Sequence, residues 1–411
     1  MRILIYWEQE SWGGVDTQLL ELLSTWPSSD DKFVLVVNQG NAGFERLQNE
    51  FSSLENVSCQ IINSYSHNEL NRRLREVKFS HFLRILLYFI QPLTYLISIQ
   101  IFIRIFREME NFDVLLSNNG GYPAAWGCIC ALEAARKLGI NNRFLLIHHS
   151  ATNPAPFMGW YEQIIDRRVT RLCNTIVCVS QATKRFLLLR RNIDDELVRI
   201  RVIKNDIKLS KDIVKDKPVD IRKSIDLLEN EYIVGMAGRI TPYKGHEDLI
   251  FALSRLPYED QKRLRVVFIG TCDSSHEESR LKSLSTKLGV IDRVHFTGYV
   301  KGKLINVIDQ LDLLVVATKS FEGFGLTLIE AMRTGVPILA TNVGAIPEII
   351  NLENGVLVPP NSPEDISTAL ADFLDNNLSW QERADNAQRS LANSQYDMAI
   401  DYRRLFLECS V

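Results

Sequence analysis

The stretch Val315-Val316-Ala317-Thr318-Lys319-Ser320-Phe321-Glu322-Gly323-Phe324-Gly325-Leu326-Thr327-Leu328-Ile329-Glu330, running on through Gly335 to Val336-Pro337-Ile338-Leu339-Ala340-Thr341, decides the fold class. An uncharged apolar run, a glycine-containing loop, a helix over Leu326 to Thr334 closed by Gly335, and a second apolar run form one strand–loop–helix–strand unit. Strands that are apolar throughout belong to a parallel sheet covered on both faces. The same ten residues from Phe321 to Glu330 read as a site. Gly323 and Gly325 let the backbone approach a ligand, and the amides of Leu326 and Thr327 lie at a helix N-terminus, where an anion such as phosphate is favoured. Glu322 sits before the helix, and Glu330 lies one turn behind Leu326 on the same face, so two carboxylates can meet hydroxyl groups.

Working outward, apolar runs recur at 2–7, 33–37, 57–62, 113–117, 144–148, 175–179 and 199–203, then at 232–237, 264–269, 293–296, 312–317, 337–340 and 355–358. Helical patterns separate them. Two doubly wound α/β sheets in tandem follow, joined by the lysine- and aspartate-rich segment 205–230 with a short lead-in helix. A chain of 411 residues suits two domains, and 46% hydrophobic content is enough for large cores. The formal net charge of -3 argues against nucleic acid as a partner.

Cys59, Cys128, Cys130, Cys173, Cys178, Cys272 and Cys409 are scattered, mostly through apolar segments, and read as reduced core thiols of a cytoplasmic protein. Cys128 and Cys130 point to different faces of a helix, with no second pair or histidine cluster, so no metal site is expected. The N-terminal run Arg2 to Trp7 breaks into Glu8-Gln9-Glu10 and reads as the first strand rather than a signal peptide.

Ile85 to Ile103 carries no charge and is long enough to cross a bilayer. The strands at 57–62 and 113–117 belong to one sheet, which a crossing would separate. Two readings stand: helices buried against the sheet, or an apolar surface in the membrane interface, drawn to anionic lipid by Arg72, Arg73, Arg75, Lys78 and Arg84. The corresponding locations are the cytoplasm or the cytoplasmic face of the membrane.

The strand 232–237 runs into Gly238-Arg239-Ile240-Thr241-Pro242-Tyr243-Lys244-Gly245, with a helix from His246. Arg239 and Lys244 fall where a doubly wound sheet binds its ligand and can pair with a diphosphate. In the first half, Trp12-Gly13-Gly14-Val15 follows the first strand without a Gly-x-Gly-x-x-Gly fingerprint, and His148-His149-Ser150 closes the strand 144–148. Either histidine is a candidate for contacting a transferred group.

Gly13-Gly14, His148-His149, Val179-Ser180-Gln181-Ala182, Ile203-Lys204-Asn205-Asp206, Gly238-Arg239 with Lys244-Gly245, Glu322-Gly-Phe-Gly with Glu330, and Val343-Gly344-Ala345-Ile346-Pro347-Glu348 together resemble the group 1, or family 4, retaining glycosyltransferases, in the same order and over most of the chain. The resemblance implies a GT-B architecture, two Rossmann-like domains facing across a cleft. Residues 1–205 would bind the acceptor and 206–395 a nucleotide-sugar, with a final helix in 396–411 packing back on the first domain. It implies a donor-binding set of Gly14, Arg239, Lys244, Gly270, Gly325, Leu326, Thr327 and Glu330. The catalytic set it implies is Glu322, His148, His149, Arg239 and Lys244, with no metal and no cofactor beyond the nucleotide-sugar substrate. The implied activity is hexosyl transfer with retention, the diphosphate leaving toward Arg239, Lys244 and the helix N-terminus, onto a glycan or lipid-linked acceptor in cell-envelope polysaccharide synthesis. The chain departs from the family at Asn205-Asp206-Ile207-Lys208, where an Asn-Gly-Val/Ile-Asp turn is usual. The competing readings are a non-catalytic nucleotide-sugar-binding partner of a transferase, and an epimerase or phosphorylase of the same architecture.

Overall fold

The computed structural model describes residues 1–9, 13–41, 43–52, 54–75, 81–109, 111–208, 220–272, 274–300 and 302–408. Trp12, Lys78, Cys409 and residues 209–219 of the linker lie outside the described residues. The chain divides into two compact units, Met1–Asp206 with Asp397–Val411, and Ile207–Tyr396.

The first unit is built on β1 (Arg2–Trp7), β2 (Lys32–Asn38), β3 (Val57–Ile62), β4 (Val114–Asn119), β5 (Asn142–Ile147), β6 (Thr175–Cys178) and β7 (Arg199–Val202). They pair in parallel in the order β3-β2-β1-β4-β5-β6-β7. Ile3 to Trp7 are fully buried, as are Leu115, Leu116, Phe144 to Ile147 and Ile176 to Cys178, so the central strands are apolar because helices cover both faces. The helix Trp126–Lys137 is buried from Trp126 to Ala135, which seals the Cys128 and Cys130 thiols inside the core; burial pushes both thiols up.

The last helix, Met398–Glu408, is part of this unit. Phe406 packs against Trp26 and Phe144 at ring-centroid distances of 5.9 and 4.9 Å, and Arg403 Nε donates to Asp31 Oδ2 at 2.8 Å. Asp31 also accepts from the N-terminal ammonium at 2.7 Å and from Trp26 Nε1 at 3.0 Å. Although burial raises its pKa, these donors outweigh that effect and hold the carboxyl below its ordinary value.

The second unit carries β8 (Tyr232–Ala237), β9 (Leu264–Ile269), β10 (Val294–Gly298), β11 (Leu313–Val316), β12 (Ile338–Thr341) and β13 (Val356–Val358), all parallel, in the order β10-β9-β8-β11-β12-β13. The order reverses between β8 and β11. In such sheets the crevice outside the carboxyl ends of the strands at that reversal is where ligands bind. Pairing there stops at Leu314↔Gly235, although β11 runs on to Val316 and β8 to Ala237. The strand ends therefore separate and leave room between them.

The uncharged run around 85–103 forms two helices, His81–Phe89 and Gln91–Glu108, whose axes bend by 76° at Ile90. Among the described residues no single helix is long and apolar enough to cross a membrane. The second of the pair is a core helix on one face, with Tyr95, Ile99, Phe102 and Phe106 buried. Pro92, at the second position of that helix, is tolerated there because its missing N–H would have had no intrahelical acceptor.

Candidate functional site

The site of the second unit grows from the separated ends of β8 and β11. A concavity of about 280 Å³, open to solvent, is lined by Met236, Ala237, Arg239, Lys244, His246, Val315 to Thr318 and Thr327. Its floor is apolar strand and its rim carries the charges.

After β8 the chain passes Gly238 and the exposed Arg239, forms a short 3-10 turn Pro242–Lys244, and enters helix His246–Arg255. Lys244 Nζ donates to Glu322 Oε2 at 2.6 Å, and Thr318 Oγ1 donates to the same oxygen at 3.1 Å. Burial disfavours the Lys244 ammonium, but the Glu322 carboxylate more than offsets this and raises the lysine above its ordinary value. His246 is buried beside them with its ring edge-on to Phe268, at 4.9 Å and 84°. Burial, aided by the Lys244 charge, lowers its pKa to about 4, so its imidazole is neutral at physiological pH.

The loop after β11 is shaped by two glycines. Gly325, at φ +95°, is the N-cap of helix Leu326–Thr334. With φ +56°, Gly344 backs directly onto the loop: a Cβ there would lie 2.2 Å from the Glu322 carbonyl oxygen, and Ala345 N donates to that oxygen at 2.9 Å. The segment Val343 to Glu348 therefore fixes the backbone from which Glu322 projects. The first amides of helix Leu326–Thr334 have no acceptor within the helix, and Thr327 lines the concavity. Glu330 is buried on that helix.

Gly270 follows β9, and a Cβ on it would meet the Gly238 carbonyl oxygen at 2.0 Å. It lines a second concavity of about 500 Å³ with Ile240, Thr271, Cys272, Ser274, Glu278, Phe296 and Gly298. Of the residues singled out from sequence, the structure thus brings Arg239, Lys244 and Thr327 to one concavity, bonds Glu322 to two of its lining residues, Lys244 and Thr318, sets Gly325, Leu326 and Glu330 on the loop and helix beside it, and puts Gly270 in its neighbour. Thr318 and His246 were not singled out for the site, and Gly344 only within the Val343–Glu348 motif. Their signal was position, at or just beyond the carboxyl ends of strands.

The first unit has its own strand-order reversal, between β1 and β4. There Glu8 accepts from Ser66 Oγ and from Gly127 N, the latter at 2.9 Å. Gly13 is the N-cap of helix Gly14–Ser24, and its N–H donates to Asp16 Oδ2 at 2.6 Å, which leaves Gly14 as the first helical residue. The two histidines differ. His148 is buried, its Nε2 lies 2.7 Å from Asn118 Oδ1, and burial lowers its pKa to about 3. His149 is exposed, with Nδ1 3.2 Å from Ser150 Oγ. Strand β4 also runs two residues past the expected end, because Asn118 and Asn119 stay in the ladder and are buried. Among the described residues no three His, Cys, Asp or Glu side chains group as a metal site.

A catalogue of known families assigns residues 219–390 to the model described as Glycosyl transferases group 1. The second unit is a group 1 glycosyl transferase domain. The D-inositol 3-phosphate glycosyltransferase of Mycobacteroides abscessus is 29% identical over 265 residues, 63% of this chain and 56% of the relative. The lipopolysaccharide core biosynthesis mannosyltransferase LpsB of Rhizobium meliloti is 34% identical over 165 residues, 38% of this chain and 45% of the relative. The chain thus spans about half the length of these curated relatives. Over its whole length it superposes on Anabaena HepE, a structure described in complex with UDP and glucose, with a TM-score of 0.72, 18% identity and coverage of 100% and 99% of the two chains. That likeness gives the fold, GT-B, with the group 1 glycosyl transferase domain as its C-terminal half.

Proposed function

We propose that the chain transfers a hexosyl unit, with retention of anomeric configuration, from a nucleoside-diphosphate sugar to a glycan or lipid-linked acceptor in envelope polysaccharide synthesis. The observation that carries the reading is the convergence of Arg239, Lys244 and the start of helix Leu326–Thr334 on one concavity, where Lys244 is bonded to Glu322. Two cations and a helix N-terminus match a diphosphate, and Glu322 and Glu330 match sugar hydroxyls.

In this mechanism the diphosphate displaces Glu322 as the partner of Lys244. The bond between the anomeric carbon and the diphosphate oxygen breaks, and its electron pair goes to the departing phosphate. Arg239, Lys244 and the amides of Leu326 and Thr327 stabilise that charge. The acceptor oxygen bonds to the anomeric carbon from the same face and gives its proton to the departing phosphate. Glu322, released from the lysine, takes a hydroxyl of the donor sugar. Of the two histidines, His149 is exposed, whereas His148 is kept neutral by burial, beside Asn118.

The HepE complex with UDP and the glycosyltransferase names of the relatives support a nucleotide-sugar donor. The proposed cellular place is the cytoplasmic face of an anionic membrane, where a lipid-linked acceptor is presented. A panel of nucleoside-diphosphate sugars screened by thermal shift, followed by product analysis with candidate lipid-linked acceptors, tests the reading. One donor should raise the melting temperature and yield a retained glycoside; release of an altered nucleotide-sugar without acceptor would establish an epimerase instead.

A further inference from the structure

Over its first two turns helix Gln91–Glu108 buries polar side chains beside Tyr95 and exposes aliphatic ones. Gln91, Thr94 and Ser98 are buried, whereas Leu93, Leu96 and Ile97 are exposed to 55%, 60% and 48%. The inward hydroxyls are satisfied close by: Thr94 Oγ1 donates to the Gln91 carbonyl at 2.9 Å, and Ser98 Oγ to the Thr94 carbonyl at 2.8 Å. On a water-facing helix the pattern runs the other way. Helix His81–Phe89 goes further, since Leu87 is its one buried residue while Phe82, Leu86 and Phe89 stand exposed.

A second apolar group adjoins the first. Tyr88 Oη donates to the Pro156 carbonyl, which ties the end of helix His81–Phe89 to the turn before helix Gly159–Leu172. Just beyond that tie, Phe157, Trp160 and Ile164 are exposed. Together these side chains make a contiguous apolar face of a kind that marks an interaction site.

The charges around it are mostly positive, with Arg104 paired to Glu108 at 3.4 Å. Along the exposed stripe of helix Gln91–Glu108 the apolar residues give way to Arg104 and Arg107, along that of helix Gly159–Leu172 to Arg167 and Arg171, and Arg84 stands within helix His81–Phe89. Among the described residues of these three helices, Glu108 is the only exposed acid, because Glu162 and Asp166 are buried against Arg191.

We infer that this face docks the chain flat on an anionic bilayer, with the bend at Ile90 and the Phe157–Ile164 segment in the acyl boundary and the arginines at the phosphate level. Docking in the plane follows from the geometry. The inner face of helix Gln91–Glu108 belongs to the core of the first unit, so the helix cannot leave the protein to cross the membrane. Helix His81–Phe89 has nine residues, about 14 Å at 1.5 Å per residue, roughly half of a hydrocarbon core. A second copy of the chain is the poorer occupant, since a two-fold contact through this face would set arginines against arginines. The purpose of docking rests on the lipid-linked acceptor proposed above; the surface itself does not.

The test is co-sedimentation of the full chain with phosphatidylcholine vesicles, with and without phosphatidylglycerol, at low and high salt. Binding should require the anionic lipid, weaken with salt, and fall by about tenfold or more in the triple variant Phe89→Ser/Leu93→Ser/Trp160→Ser and again in Arg84→Glu/Arg107→Glu/Arg167→Glu. All six positions are exposed, and circular dichroism of each variant checks its fold. Wild-type binding that is absent on anionic vesicles at low salt, or unchanged in both variants, overturns the inference. So does a lipid-free dimer that the triple variant dissolves. Donor-induced thermal shift in the same variants separates the two proposals: it should persist where vesicle binding is lost, and its absence from the wild type would count against the transferase reading alone.

Discussion

Lys244 Nζ and Glu322 Oε2 lie 2.6 Å apart, joining the loop after β8 to the loop after β11 across the separated strand ends. The pair closes the site on itself, and in the mechanism proposed above a donor diphosphate exchanges one anion for another at the lysine. This exchange keeps the lysine charged in both states.

Removing the cations should therefore cost catalysis more than folding. Arg239→Ala and Lys244→Ala are each expected to lower kcat by about two orders of magnitude in steady-state assays with the donor found by screening. Rates near wild type in both would contradict the roles assigned to them. Glu322→Gln should weaken the contact with Lys244 and lower kcat while diphosphate binding persists.

Gly344 has no room for a side chain. Gly344→Ala places a Cβ against the Glu322 carbonyl at φ +56°, so the loop must shift. The expected result is a loss of roughly 1–3 kcal/mol in urea unfolding together with lost donor binding. Unchanged donor affinity would mean that the 343–348 segment does not hold the loop.

Acid should destabilise the fold through its buried histidines. His148 and His246 have native pKa values lowered to about 3 and about 4, against 6.5 for a free imidazole. A lowered native value means that the unfolded chain binds the proton first, so stability is full above pH 6.5 and declines as pH falls toward those values. The slope is about 1.4 kcal/mol per pH unit for each fully differential site. His148→Gln, which keeps a polar partner for Asn118, should flatten the loss between pH 6 and 4 (roughly the window set by these values) when melting temperature is followed against pH.

Arg191 is enclosed with two carboxylates. It bonds Asp166 Oδ1 at 2.9 Å and Glu162 Oε2 at 2.6 Å, and Tyr122 Oη donates to the same Asp166 oxygen at 2.8 Å. Arg191→Met would leave both acids buried without their cation, a loss of about 3–5 kcal/mol in equilibrium unfolding. A change below 1 kcal/mol (on the order of a surface substitution) would show that water reaches the acids.

Much of this was legible in sequence because the central parallel strands are apolar throughout and their boundaries are sharp. Thirteen runs correspond to the thirteen strands, displaced by a residue or two where polar residues such as Asn118 and Asn119 extend a strand whose apolar run has ended. Arg239, Lys244 and Glu322 were recognisable because they follow strands that a doubly wound sheet must end in a crevice. Their ion pair was not, since it depends on two loops meeting across 78 residues. Nor could sequence separate His148 from His149, which alternate in direction at a strand end so that one faces the core and the other water. The run 85–103 shows a further limit. Hydropathy counts apolar residues but not which way they point, and here buried hydroxyls and exposed aliphatics share one helix.

Phe406 and Arg403 close the aromatic and ionic contacts around Trp26 and Asp31, some 370 residues after the patch they cover is made (Arg403 and Asp31 are 372 apart). During synthesis the first unit must wait, with that patch uncovered, until the whole second unit has left the ribosome. Its maturation is thereby coupled to translation of its neighbour, and a product terminated before Met398 lacks the piece that finishes its opening domain.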